Sequence, residues 1–379
     1  MGRTRTKTRK AKPLVTANTS EAAEPPSIPA LLQKAQSLIV QCDYDMARMF
    51  VQRILEREPK SAEAREMLGV VLLETGEIDA ARQTFTTLVP PHADAPSPPP
   101  PSAYLYLAQL SDEDPQAALG HYQAAVDLLL GQLKGKEKAA DGAGSSDDEG
   151  EVKANVVRAL IGMVEIWMDP SYDLCFDPAA EKTCEDLLNL ALQTDPGNTE
   201  ALQSLASVRL SQQRPDDAKQ CLEQAWVSWK DLDPDSSNLP PIPSRLSLVK
   251  LFLELSLFTP ALTVLQGVMA VDDQEVEAWY LEGWCFYLMA EQAKETGENV
   301  EELSWQELAQ DARDCLDTCL VLHEGQDHPD TPMLDHVKEL VGKLEEVGVK
   351  PSADEDGGDG EGGWEDVQDS DEDDDVEMS

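Results

Sequence analysis

Five histidines, seven cysteines and 73 acidic side chains are the groups in this 379-residue chain with chemistry to offer. His92, His121, His323, His328 and His336 pair with no serine or cysteine at a recognisable elbow. There is no Gly-x-Ser-x-Gly, phosphate-cradling glycine loop, His-Glu-x-x-His or dinucleotide fingerprint. His328 and His336 flank a turn and read as surface residues. Cys315 and Cys319 lie one helical turn apart, a spacing that suits a metal, but no histidine completes a ligand set on that face. Both are assigned to the core. Asp371–Asp375 lacks the alternating ligands, turn glycine and distal glutamate of a calcium loop. No catalytic constellation assembles even in outline, so the chain reads as a non-enzyme without cofactor or metal.

Recognition chemistry remains. Carboxylates form charge-assisted pairs with Arg and Lys, while Trp and Tyr faces accept cations and anchor side chains. The candidates are Glu63, Glu66, Glu74, Asp112, Glu113, Trp167, Glu200, Gln203, Glu254, Glu277, Tyr280, Trp284 and Tyr287. For each acid the competing reading is a solvated helix face, and for each aromatic it is the core.

What must position them is helical. From Ile28 to about Val347 apolar residues recur at helical spacing, and no window alternates with period two, so the chain is all-α. Ala35 is followed 34 residues later by Gly69, Ala47 by Ala81, Val51 by Phe85, and Ile54 by Leu88. That period and its pattern of small and large residues is the tetratricopeptide (TPR) repeat. Leu68, Gly69, Gly76, Ala81 and Phe85 mark the best copy. Further copies are marked by Ala108 with Tyr122, Gly162 with Cys184, Ala206 with Ala218, Val249 with Ala261, and Gly283 with Ala312. Seven irregular helix pairs and a capping helix from Pro332 make a TPR-type α-solenoid. By resemblance to other TPR proteins, the first helix of each pair lines the concave face. The candidates above are the residues offset from the packing set on those helices. Lys250 is the one base that this register places inside, which disfavours the Lys, Arg and Asn grip of TPR co-chaperones on acidic chaperone tails.

Charge narrows the partner. Thirty basic residues against 73 acidic ones leave a formal net charge of −43. Residues 1–12 hold six bases and no acid, and residues 351–379 hold 14 acids and no base, so the body between them is acidic in its own right. Such a chain repels nucleic acid and the anionic leaflet of a membrane, and attracts a basic protein. The most apolar run, Leu246 to Phe258, is interrupted by Lys250 and Glu254 and is too short to span a bilayer. An odd number of scattered cysteines fits a reducing, intracellular setting. Three regions follow: a disordered basic segment 1–27, a TPR region 28–350 with a disordered insertion at about 134–151, and a disordered acidic tail 351–379. Pro90–Pro101 reads as extended and Asp231–Pro243 as a linker. The basic start reads as an import signal or a solubilising arm. Ser145, Ser146 and Ser370, each before an acidic run, resemble acid-directed kinase sites.

The short basic start Arg3-Thr4-Arg5-Thr6-Lys7, the array opening near Ile28, Trp279-Tyr280-Leu281-Glu282-Gly283-Trp284, and Gly363-Trp364-Glu365-Asp366-Val367 before an acidic end stand together. In these the chain resembles the fungal family of assembly chaperones for large-subunit ribosomal protein number four. The resemblance implies a dedicated chaperone that takes that newly made basic protein, shields its RNA-binding loop, and escorts it to nuclear pre-ribosomes; a monomer that binds one copy, in cytoplasm and nucleus, is the form expected. A generic TPR assembly scaffold and an acidic histone-type chaperone stay open beside it.

Overall fold

A computed structural model describes residues 26–138, 146–234 and 236–352. The basic residues 1–12, Ser145, the tail motif Gly363–Val367 and Ser370 lie outside them. Among the described residues there are fifteen α-helices, one short 3-10 turn at Asp173–Phe176, and no strand. The chain divides into two compact units at Ala201/Leu202.

Unit 1 holds α1 (Ile28–Val40) with α2 (Tyr44–Arg57), α3 (Ala62–Glu74) with α4 (Ile78–Thr86), α5 (Pro101–Gln109) with α6 (Pro115–Lys138), and α7 (Ser146–Met168) with α8 (Ala180–Thr194). α9 (Thr199–Ser211) begins in unit 1 and ends in unit 2. Unit 2 continues with α10 (Pro215–Val227), α11 (Ile242–Glu254), α12 (Phe258–Met269), α13 (Val276–Thr296), α14 (Trp305–Gly325) and the capping α15 (Thr331–Glu346). The elements match seven pairs and a cap.

Local chemistry sets these boundaries. Ser61 caps α3 by accepting from Ala64 N, and Asp330 caps α15 by accepting from Met333 N at 2.9 Å. Proline stands in the first turn of α1, α5, α10, α11 and α15, where its missing N–H costs nothing. Five helix-to-helix turns share one form built on a left-handed residue: Cys42, Gly76, Gln213, Ser256 and Asp327, with φ of 58°, 80°, 60°, 54° and 49°. In each, the next residue's N–H returns to a carbonyl five positions back, as from Glu77 to Leu72 O at 2.8 Å and Leu257 to Phe252 O at 2.8 Å.

The repeat's small positions are where helices touch. A Cβ built on Gly69 would stand 2.5 Å from Phe85 Cε1, on Gly162 2.8 Å from Tyr122 Cζ, and on Gly283 2.8 Å from Leu316 Cγ. The large partners fill what the glycines leave open, and Phe85 and Leu316 are wholly buried. Cys315 and Cys319 are also buried; they donate to Glu282 Oε2 and Val276 O, each at 3.6 Å.

Two expectations need correction. The span 134–151 is not one loop: α6 runs on to Lys138 and α7 starts at Ser146, leaving only 139–145 outside the described residues. Ala, Lys and Glu in that span are good helix formers that continue helices already begun. Pro26 and Ser27, expected in the disordered segment, are ordered instead. Pro26 O accepts from Arg57 Nη1 at 2.7 Å, and Ser27 caps α1.

Candidate functional site

In unit 1 a groove of about 740 Å³ is bordered by α1, α3, α5, α6 and α7. Two of the expected acids stand on it. Glu63 lies exposed in the first turn of α3, its place fixed by the Ser61 cap. Glu66, one turn on and half-buried, accepts a hydrogen bond from Ser102 Oγ on α5 at 2.5 Å. Glu151 joins them from the early part of α7. None of these three carboxylates is in an ion pair with the described residues. Arg158, two turns after Glu151, is the one cation among the described residues that line the groove, and donates to Asn155 Oδ1 at 2.8 Å.

The floor is apolar and aromatic, with Met67, Val70 and Leu105 beside Tyr106 and Tyr122. Tyr106 stacks on the buried Phe85 with ring centroids 4.6 Å apart and planes 13° from parallel. Burial pushes the Tyr106 hydroxyl above its ordinary range, with Glu66 and Glu74 adding to it. Burial does the same to Tyr122, helped by Glu165. Both hydroxyls therefore stay protonated donors against the surrounding negative charge.

The other unit 1 candidates sit elsewhere. Glu74 ends α3 and accepts from Tyr44 OH at 3.3 Å. Asp112 and Glu113, expected on the inner face of the third pair, are exposed turn residues instead. α5 ends at Gln109, so both fall past its last turn, and the Asp112 carbonyl accepts from Tyr172 OH at 2.6 Å. Trp167 is half-buried at the end of α7, and Met163, one turn before it, is buried in the core. Glu200 is exposed near Glu165, whose carboxyl is raised by burial and then by Glu200.

In unit 2, Gln203 is not on an open face: it is buried, and its amide donates to Ser244 Oγ on α11 at 3.5 Å. The uncharged amide tolerates cover that a carboxylate would resist. Glu254 is exposed at the end of α11. Glu277 meets Lys250, with Nζ 2.5 Å from Oε1, so the acid and the base assigned to one face are neighbours. Tyr280 and Trp284 stack with centroids 5.9 Å apart. They are not an open aromatic wall, because His336 of α15 stands edge-on to both rings at 5.8 and 5.5 Å. Its Nδ1 lies 2.9 Å from Tyr280 OH. His336 is thus a packing residue rather than a free surface one, because the cap lays one helical face onto α13. Burial pushes the Tyr280 hydroxyl up to about 12. Tyr287 lines a separate cavity of about 190 Å³ with Trp305 and Lys343.

Tyr106, Tyr122, Glu151 and Arg158 escaped sequence reading. The repeat register assigns Tyr122 to packing, which it also does, and the loop reading of 134–151 hid Glu151. Nothing in the groove aligns a nucleophile with a base. Its unpaired carboxylates over an aromatic and apolar floor suit an extended cationic segment that also inserts apolar side chains.

Residues 38–97 match the family model of the tetratricopeptide repeat. A probable assembly chaperone of rpl4 from Emericella nidulans is 31% identical over 358 residues, covering 89% of this chain and 88% of that protein. The probable assembly chaperone of rpl4 from Schizosaccharomyces pombe is 32% identical over 338 residues, covering 89% of this chain and 95% of its own. The solved structure of the Assembly Chaperone of RpL4 (Acl4), residues 1–338, superposes with a TM-score of 0.63 at 28% identity. It covers 72% of this chain and 100% of that one.

Proposed function

The chain belongs to the family of assembly chaperones of rpl4, and on that premise we propose that it holds newly made rpl4 through a basic segment laid in the unit 1 groove. The observation that carries this reading is the set of carboxylates of Glu63, Glu66 and Glu151, left without ion pairs over the Tyr106 and Tyr122 floor. In a chain of net charge −43 they form a local stand-in for the phosphates that a basic RNA-binding segment meets in the ribosome. The work is protection and hand-over rather than chemistry. One chaperone takes one rpl4, binding in the cytoplasm and releasing in the nucleus, where RNA competes for the same cations.

The test is titration calorimetry of the full chain with purified rpl4. Replacing Glu63 and Glu66 together by Lys puts like charges opposite the ligand and should weaken binding at least about tenfold. Glu113→Lys makes a charge change of the same kind in a turn outside the groove and should change affinity little. If Glu113→Lys weakens binding as much per charge as the groove pair, net charge rather than the groove holds rpl4.

A further inference from the structure

Unit 2 contains a small cavity of about 50 Å³ between the end of α10, the segment that follows it, and the helices α11 and α12. Trp226, Trp229, Lys230 and Arg245 line it, with Leu239 and Gly267. Two features are unusual in so acidic a molecule. Arg245 is 6% exposed and pairs with no carboxylate among the described residues; its one hydrogen bond there runs from Nη1 to Gly267 O at 3.5 Å. Trp229 is also 6% exposed, and neither its indole Nε1 nor Arg245 Nε has an acceptor among the described residues. Lys230 adds a second cation, its Nζ 5.5 Å from the centre of the Trp226 ring. It too forms no ion pair among the described residues.

Buried donors without acceptors cost stability, and a buried guanidinium without a counter-charge costs more. The other buried arginines have more partners, although Arg65 Nε, like Arg245 Nε, finds no acceptor among the described residues. Arg65 donates to the carbonyls of Lys60, Thr87 and Asp94, and Arg313 to Asp317 and Glu345. Arg245 differs from both in having one long hydrogen bond for its whole guanidinium. An indole N–H and a guanidinium are donors only, and Lys230 supplies donors only. Water would bring two hydrogens needing acceptors, whereas an ionised carboxylate accepts at both oxygens and neutralises the arginine. The space is several times the roughly 10–15 Å³ that one water requires, and far below what a peptide would need.

We propose that this cavity is a binding site for a single carboxylate group, held by Arg245 and the Trp229 indole N–H, with Lys230 at its rim. The carboxylate comes either as a small free monoanion or as the side chain of an acidic residue. The same chemistry serves both.

The experiment uses the full chain with 15N-labelled tryptophan and follows the indole N–H signals. Trp229 is assigned by Trp229→Phe. Sodium acetate and N-acetyl-glutamate amide are titrated separately at constant ionic strength against sodium chloride. The expected result is a saturable downfield shift of the Trp229 indole signal that chloride at the same ionic strength does not reproduce. Acetate alone acting means a cavity that admits only small free anions, and both acting means one that also takes an acidic side chain; either outcome supports the site. Arg245→Met keeps the side chain's bulk and should raise the half-saturation concentration at least about tenfold. Should that variant fold poorly, Trp229→Phe keeps the ring, removes one donor, and should weaken the shift read at Trp226. A shift that never saturates, or one equally strong with chloride or in Arg245→Met, would mean solvated donors only and would overturn the proposal.

Discussion

Substituting alanine for Gly69 should weaken the fold, and the same exchange at Gly120 should strengthen it. Both glycines lie inside helices of unit 1, Gly69 in α3 and Gly120 in α6, so both exchanges gain the same helix propensity, about 0.5–1 kcal/mol. The surroundings differ. A Cβ at Gly120 meets nothing within 4 Å, whereas at Gly69 it meets Phe85 Cε1 at 2.5 Å and Cζ at 2.6 Å. The ring cannot swing aside, because Phe85 is wholly buried and Tyr106 is stacked on its face at 4.6 Å. Overpacking a filled site costs about 1–3 kcal/mol. After the propensity gain, Gly69→Ala should be net destabilising by up to about 2 kcal/mol, while Gly120→Ala stabilises by about 0.5–1 kcal/mol. Urea unfolding followed by helical circular dichroism measures both, with unchanged slopes required for a fair comparison. In melting temperature, each kcal/mol corresponds to about 2–4 °C for a unit of this size. If Gly69→Ala stabilised the protein as much as Gly120→Ala, the close approach of α3 and α4 would not be a constraint, and the packing account of the repeat's small position would fail. Because Tyr106 also floors the groove, the first variant should lose some rpl4 affinity and the second none.

Three further outcomes test other parts of the scaffold. Glu282 is buried and its carboxyl is raised, first by burial, so its charged form costs stability. That cost is absent below the unfolded value of about 4.3, grows as pH rises through the folded value, and stays constant above it. Glu282→Gln should therefore stabilise unit 2 at neutral pH, with the gain vanishing toward pH 4; a gain independent of pH in melting scans would refute this. Arg313, 5% exposed, donates to Asp317 at 2.8 Å and to Glu345 of α15 at 3.0 Å. Arg313→Met should cost about 1–3 kcal/mol and speed hydrogen exchange in α15 before the rest of unit 2. Ser256 holds φ at 54°, where a side chain costs about 1–2 kcal/mol that glycine avoids. Ser256→Gly should raise the melting temperature by a degree or more, and a fall would mean that the serine side chain stabilises that turn.

The parts of this molecule legible in its sequence are those fixed by short-range periodicity. Gly69 against Phe85 and Gly283 against Leu316 show the repeat's small and large positions because two helices cross at one residue, and such a crossing accepts only a small side chain. The same logic located Lys250 and Glu277, which the structure brings to 2.5 Å. What the sequence did not disclose depends on where helices end and on what packs over them from far along the chain. Asp112 and Glu113 missed the inner face because α5 stops after nine residues. Tyr280 and Trp284 are covered because His336, more than fifty residues later, returns on the cap. Periodicity within one helix carries no information about either event. Register reasoning is thus strongest for the middle of a helix pair and weakest at its ends and at the cap. α3 supplies Glu63 in its first turn and Glu66 one turn on, and these are the acids on which the groove reading rests. Of the two, Glu66 is the deeper, half-buried against α5, whereas Glu63 is exposed at the helix start. For that reason Glu66, held by Ser102 yet without a cation, is the groove residue whose exchange should separate a shaped site from a diffuse field.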